Sequence, residues 1–316
     1  MIRVGVVGVG HLGRFHAEKY KMIEQAELVG VCDISKRRAE TVAGKLGVTA
    51  FHDYRELLPM VEAVSVVVPT QDHYAVARSF MEAGVHVLLE KPVTRTLEEA
   101  DALIELAHEK NLVFQVGHLE RFNPAMIAAG PLLGEPLFIE ANRISPFPDR
   151  GTDVDVVLDL MIHDIDLTLM LVGQEPKWIS AVGVPVVTPR VDIANARLEF
   201  ESGCVANLNA SRISIKKQRK IRVFQRDSYL SIDCGEREVN LVRRMPPGSS
   251  GLPELKAEQP PVHDSDALEQ EIRSFLSSVA NGSEPVVTGA DGRRALAVAL
   301  RIMAEIKARQ GDWNNV

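Results

Sequence analysis

Cysteine is scarce. Cys32, Cys204 and Cys234 are the only three in 316 residues, and none lies near another. Neither a disulfide framework nor a cysteine metal pair is expected, and a reducing cytoplasm is the expected location. Positive charge is in deficit. Lysine and arginine number 36 against 43 acidic residues, a net charge of −7, which argues against general binding to nucleic acid or to an anionic membrane. No apolar run approaches the ~18 residues of a membrane-spanning helix. There is no secretory leader pattern, because a strand begins at Ile2. Internal repeats and low-complexity tracts are absent too. What is present is ordinary: 46% hydrophobic and 25% charged residues, enough for two domains that each bury a core.

The chain is organised around its first thirteen residues. Met1–Val7 reads as a β-branched strand running into Gly8-Val9-Gly10-His11-Leu12-Gly13, and a helical stretch follows. The first glycine allows a tight turn, the second lets backbone approach a pyrophosphate, and the third lets the helix pack on the strand. The helix N-terminus offers free N–H groups and partial positive charge to phosphates. A second strand, Glu27–Cys32, ends in Asp33, twenty residues after Gly13, where an acid can accept the ribose hydroxyls. Asp33 should repel the 2′-phosphate of NADP, so NAD is the expected cofactor. Arg37 and Arg38 keep NADP open as the alternative.

Strand and helix signals alternate up to about residue 120, which implies a parallel, doubly wound sheet. Ser35 and Asp53 can cap helices, and Thr96 with Glu99 forms a capping box. Ligands in such sheets bind beyond the carboxyl ends of the strands. The residues there are Asp33, Pro69-Thr70, Glu90-Lys91-Pro92 and Gly117-His118. Lys91 follows the buried strand Val85–Leu89, near where a nicotinamide would lie. Partial burial helps a lysine act as a general acid or base near neutral pH.

In the second half, Val154–Val172 reads as a helix on which Asp159 and His163, four apart, share a face, with Asp166 near it. Such a pair can orient the imidazole and raise its basicity. No further ligand group lies at a telling spacing, so no metal is expected. Alternation then marks antiparallel strands. The run Lys216–Lys220 reads as a solvated hairpin tip, and the proline-rich 243–264 as a long irregular loop. Val205 and Leu208 are expected on a sheet face that needs cover.

These motifs resemble the family of glucose–fructose oxidoreductase and inositol dehydrogenase relatives. The likeness rests on the glycine turn with His16, then Asp33, Pro69-Thr70 with His73, Glu90-Lys91-Pro92, and Asp159-Leu160-Met161-Ile162-His163 followed by Asp166. Met161 departs from the glycine of many members. The resemblance implies an α/β fold. A dinucleotide-binding domain (residues 1–121) would precede an α+β domain (122–316) with a large, mainly antiparallel open sheet. The last helix, about 289–310, would pack back on the first domain, and two or four copies would associate through the open sheet. It also implies hydride transfer between a sugar or polyol hydroxyl and nicotinamide, with Lys91, His163 and Asp159 as the catalytic set. The implied cofactor contacts are Gly8, Gly10, His11, Leu12, Gly13, Asp33, Arg38, Pro69, Thr70, His73, Glu90 and Lys91.

A narrower likeness covers Val116–Pro124 (VGHLERFNP) and Asp159–Asp166, which resemble the same stretches in 3-dehydrogenases of UDP-N-acetylglucosamine and its uronate. It implies a substrate site using Lys91, His118, Arg121, Asn123, Arg143, Arg150, Asp159 and His163, with the three arginines gripping a diphosphate. A free sugar or polyol is the alternative substrate, and a non-catalytic dinucleotide sensor the alternative of another class.

Overall fold

A computed structural model describes residues 1–147, 154–247 and 253–313, with side chains to 309. The chain forms two compact units, Met1–Leu119 with Asp266–Arg293, and Glu120–Ser265 with Arg294–Val316.

In the first unit, short apolar runs become strands and capped amphipathic stretches become helices. The chain runs β1 (Ile2–Val7), α1 (Gly13–Met22), β2 (Ala26–Cys32), α2 (Lys36–Leu46), β3 (Thr49–Phe51), β4 (Ala63–Val66), α3 (Thr70–Glu82), β5 (His86–Glu90), α4 (Leu97–Glu109) and β6 (Phe114–Gly117). All strands are parallel, in the order β3-β2-β1-β4-β5-β6. Val4, Val6, Val64, Val66, Val87 and Leu89 are fully buried, because helices cover both faces of such a sheet. The order reverses between β1 and β4, and the carboxyl ends of these strands open the ligand crevice. Thr96 caps α4 by accepting the Glu99 N–H, and Asp53 caps a single turn by accepting that of Arg55. Ser35 stands at the start of α2 without a side-chain capping bond.

The second unit starts with α5 (Pro124–Ala129), after which Pro131 stands in a tighter 3-10 turn, Gly130–Leu132. Strand β7 (Phe138–Ile144) follows. The stretch leading to the second motif then enters a π-helical turn, Val157–Met161, before α6 (Ile162–Val172). Strands β8 (Pro176–Val184), β9 (Ile193–Phe200), β10 (Val205–Ser211), β11 (Gln218–Phe224), β12 (Ser228–Asp233), β13 (Glu238–Pro247) and β14 (Pro253–Glu258) complete one sheet, ordered β14-β13-β12-β11-β7-β10-β9-β8. Every pairing is antiparallel except β7 with β10.

Three expectations change here. The proline-rich segment is not all loop, because β13 runs on to Pro247 and β14 pairs with it. Its prolines sit at strand ends and beside an irregularity of an edge pair, where a missing N–H costs little. The basic run is not a hairpin tip, because β7 lies between β10 and β11; Lys216 and Lys217 end the connection between strands two places apart, and Gln218, Arg219 and Lys220 open β11. Leu208 faces inward with Ala206 and Ala210, while Val205 lies as expected on the other face with Asn207 and Asn209, where Asn209 Nδ2 donates to Asn142.

The chain then returns to the first unit. Helix α7 (Ala267–Asn281) sets Ile272, Phe275 and Leu276 into the core with Tyr20 of α1 and Ile23 just after it. Helix α8 (Gly289–Trp313) begins there, with Gly289 against Phe114 and Gly292 against Val116. Its apolar stripe of Ala295, Val298, Ala299, Ile302 and Ile306 belongs to the second core. Both α7 and the first turn of α8 therefore pack on the first unit.

Candidate active site

The glycine turn is built for close approach. Gly8 has φ +86°, and a Cβ there would lie 2.5 Å from the Val67 carbonyl oxygen; at Gly13 a Cβ would meet the Gly8 oxygen at 1.8 Å. Both positions exclude any side chain. Gly10 differs. The nearest atom to its missing Cβ is Arg38 Nη1 at 3.8 Å, so its backbone faces space that a pyrophosphate can enter. His11 and Leu12 stand exposed in the turn, which leads into the N-terminus of α1.

Asp33, 5% exposed, ties this turn to the end of β2. Its Oδ2 accepts the Val9 N–H at 3.0 Å and Arg38 Nη1 at 3.2 Å, and Oδ1 accepts the Ser35 N–H at 2.9 Å. Arg38 is thus drawn onto the carboxylate. These residues fit the adenosine half of a dinucleotide.

At the end of β5, half-buried Lys91 donates its backbone N–H to Glu90 Oε2 at 3.2 Å, and the Lys91–Pro92 bond is cis. The other Glu90 oxygen lies 3.3 Å from His16 Nε2. Pro69 and Thr70 open α3, which carries His73. Buried His73 is held between two backbone carbonyls. Its Nδ1 lies 2.8 Å from the Pro92 carbonyl and its Nε2 2.9 Å from that of Val68. Burial lowers its pKa against the pull of these carbonyls, so the neutral ring donates to one of them. His118 is buried at the end of β6.

In the second unit Asp159 lies in the π-helical turn and His163 in the first turn of α6, both part-exposed. The widened turn changes their spacing from that of a regular α-helix, and such turns recur at functional sites.

Residues 2–118 match the profile of an oxidoreductase family with an NAD-binding Rossmann fold, and residues 125–230 match the GFO/IDH/MocA C-terminal domain. The chain belongs to the Gfo/Idh/MocA oxidoreductases. It is an oxidoreductase whose first domain binds NAD. UDP-N-acetylglucosamine 3-dehydrogenase of Acidithiobacillus ferrooxidans is 45% identical over 310 residues, covering 97% of this chain and 98% of that enzyme. A solved structure of that enzyme superposes with a TM-score of 0.92 at 44% identity, over 97% of this chain and 98% of that one. Myo-inositol 2-dehydrogenase of Thermotoga maritima is 29% identical over 314 residues, 93% of each chain.

In this Gfo/Idh/MocA chain the arginines expected to hold a diphosphate are occupied or out of view. Arg143, 3% exposed, gives Nη2 to Asp164 at 2.8 Å and Nη1 to Glu120 at 2.7 Å. Burial would raise the Glu120 pKa, but the charge of Arg143 holds it below its usual value. Arg121 grips Asp166 with Nε at 2.8 Å and Nη2 at 2.6 Å. Asp166 is therefore buried in an ion pair rather than ranged with His163. Arg150 lies outside the described residues. Asn123 is also spent: its Oδ1 caps α5, and its Nδ2 donates to Glu120 and to the Cys234 carbonyl.

One further buried acid, absent from the sequence motifs, lies beside Glu90 and His16. Glu271 sits on the buried face of α7, between Leu268 and Phe275 at helical spacing. An acid interrupting an apolar stripe was the available signal.

Proposed function

We propose that this chain oxidises the 3-hydroxyl of a UDP-N-acetylamino sugar. The observation that carries this reading is the 45% identity, along nearly the whole of both chains, to an enzyme named for that reaction. Bound NAD accepts the hydride. Lys91, beyond β5, takes the hydroxyl proton; His163 holds the hydroxyl, and Asp159 orients the imidazole. Because Arg143 is committed inside the second domain, the diphosphate contact falls to other cations, Arg150 among them. UDP is expected to compete with the substrate in initial-rate assays at fixed NAD. If UDP does not compete and a polyol is turned over instead, the substrate is a free sugar or polyol, the reading favoured by the 29% likeness to the inositol enzyme.

Asp33 is proposed to set cofactor choice. Its buried carboxylate faces the glycine turn and can accept ribose hydroxyls, while a 2′-phosphate would meet its negative charge. A charge-assisted hydrogen bond contributes ~1.5–3 kcal/mol, or about tenfold to hundredfold in affinity. NAD is expected to bind about tenfold or more tightly than NADP, and Asp33→Asn to narrow that gap. Equal dissociation constants in the unmodified protein would remove Asp33 as the discriminator.

A further inference from the structure

Helix α7 presses an apolar stripe onto α1, yet one side chain in that stripe is an acid. Glu271 is 0% exposed, and neither carboxyl oxygen has a hydrogen-bond partner among the described residues. Its backbone carbonyl accepts Gln115 Nε2 at 3.2 Å, and Gln115 Oε1 is itself buried without a donor. Ionised and unpartnered, a carboxylate in such a place would lose its hydration with nothing in return. Beside Glu271 lie His16 and Glu90; ligand atoms of all three fall within 4.8 Å of one another. His16 Nε2 is 3.3 Å from Glu90 Oε1, and its Nδ1 is 3.3 Å from Ser65 Oγ, which lies 2.8 Å from Tyr20 OH. Lys91 N–H reaches the other Glu90 oxygen. The titratable groups facing Glu271 are thus His16 and Tyr20 from α1, and Glu90 and Lys91 from the end of β5. Lys19, Asp266 and Glu269 form a separate cluster nearer the surface.

Two carboxyl groups this close inside a domain do not both ionise. Their surroundings separate them. Burial, with the charge of Glu90 adding to it, pushes Glu271 well above the usual range. Burial also acts on Glu90, but the bond and charge of His16 and the charge and N–H of Lys91 outweigh it and hold Glu90 low. The negative charge rests on Glu90, and the proton on Glu271.

We propose that Glu271 is a positioning residue for the reaction, sharing one proton with Glu90 and so holding a single negative charge against Lys91. The inference rests on the role proposed for Lys91. Moving the proton from Glu271 to Glu90 breaks one O–H bond and forms another. The net charge is unchanged, but the anion moves away from Lys91. The pair can therefore follow the lysine as it takes and releases the substrate proton. One histidine and two glutamates also make a ligand set for a divalent cation, but a dication there would stand against the charge of Lys91.

The test uses the full-length protein and Glu271→Gln, a neutral replacement of nearly the same shape. Infrared spectra of the unmodified protein at pH 8 are expected to show the carbonyl band of a buried protonated carboxyl, absent from the variant. An acid whose folded pKa lies above its unfolded one keeps its proton after the unfolded chain has lost it, so stability falls as pH rises above the unfolded value. The Tm of Glu271→Gln relative to wild type is therefore expected to rise between pH 5 and pH 8. NAD affinity should be unchanged, and the alkaline limb of the kcat profile should shift by roughly one pH unit, tenfold in proton concentration. Absence of the band in the unmodified protein overturns the proposal whether or not the variant folds. Superimposable kcat profiles, or one equivalent of divalent metal lost on substitution, overturn it as well. The infrared and stability measurements do not involve Lys91, so a retained band with an unaffected Lys91→Ala enzyme would reject the lysine's role and not the shared proton.

Discussion

Removal of the Lys91 side chain is expected to lower kcat by ~100-fold or more while leaving NAD binding nearly intact, a loss typical of a positioned general acid–base group. The expectation follows from where the chain puts this lysine. It is the first residue after β5, half-buried, on the side of the sheet where the glycine turn and Asp33 lie. Its backbone N–H is already bound to Glu90 and its neighbour Pro92 is held through His73. These backbone anchors are shared by any side chain at position 91, so Lys91→Ala should keep the loop and lose only the amine. Steady-state kinetics and an NAD titration separate the two effects. A near-wild-type rate would remove Lys91 from the mechanism.

Arg143→Ala is expected to unfold the second domain more readily, not to weaken substrate binding selectively. The guanidinium is the shared partner of Glu120 and Asp164, all three at most 6% exposed. Taking one partner from a buried ion pair leaves uncompensated charge and costs about 3–5 kcal/mol. Without Arg143, burial raises both carboxyl pKa values in the folded state. An acid with a raised folded pKa loses stability as pH climbs above its unfolded value, so the deficit should grow from pH 5 to pH 8. Denaturant titrations at several pH values measure it. A variant of undiminished stability with a tenfold higher KM would return Arg143 to the substrate site.

Much of the first unit was legible in the chain. Continuous apolar runs such as Ala63–Val66 can only be strands covered on both faces, and a glycine turn between strand and helix admits few other uses. These are local requirements of sterics and burial, readable residue by residue. Gly8, Gly13, Asp33 and Lys91 therefore stood where expected. Period-two alternation likewise marked most of the second sheet, though not the edge strand β14, whose Pro253 and the prolines flanking it resemble loop until the pairing shows that residues without an N–H stand at an edge, where the missing donor costs little.

What only the tertiary structure decided was the use of charged side chains. An arginine has the same local signature whether it awaits a phosphate or closes on an acid twenty residues away. Arg143 finds Asp164 and Glu120 only after β7 and α6 pack. The π-helical turn at Asp159 adds a residue to a turn without altering the apolar pattern. Helix α7 joins a core laid down over a hundred residues earlier, and brings Glu271 to Glu90 and His16. Composition and periodicity report whether a residue is buried. Which distant group neutralises it depends on how whole elements meet, and no local pattern encodes that.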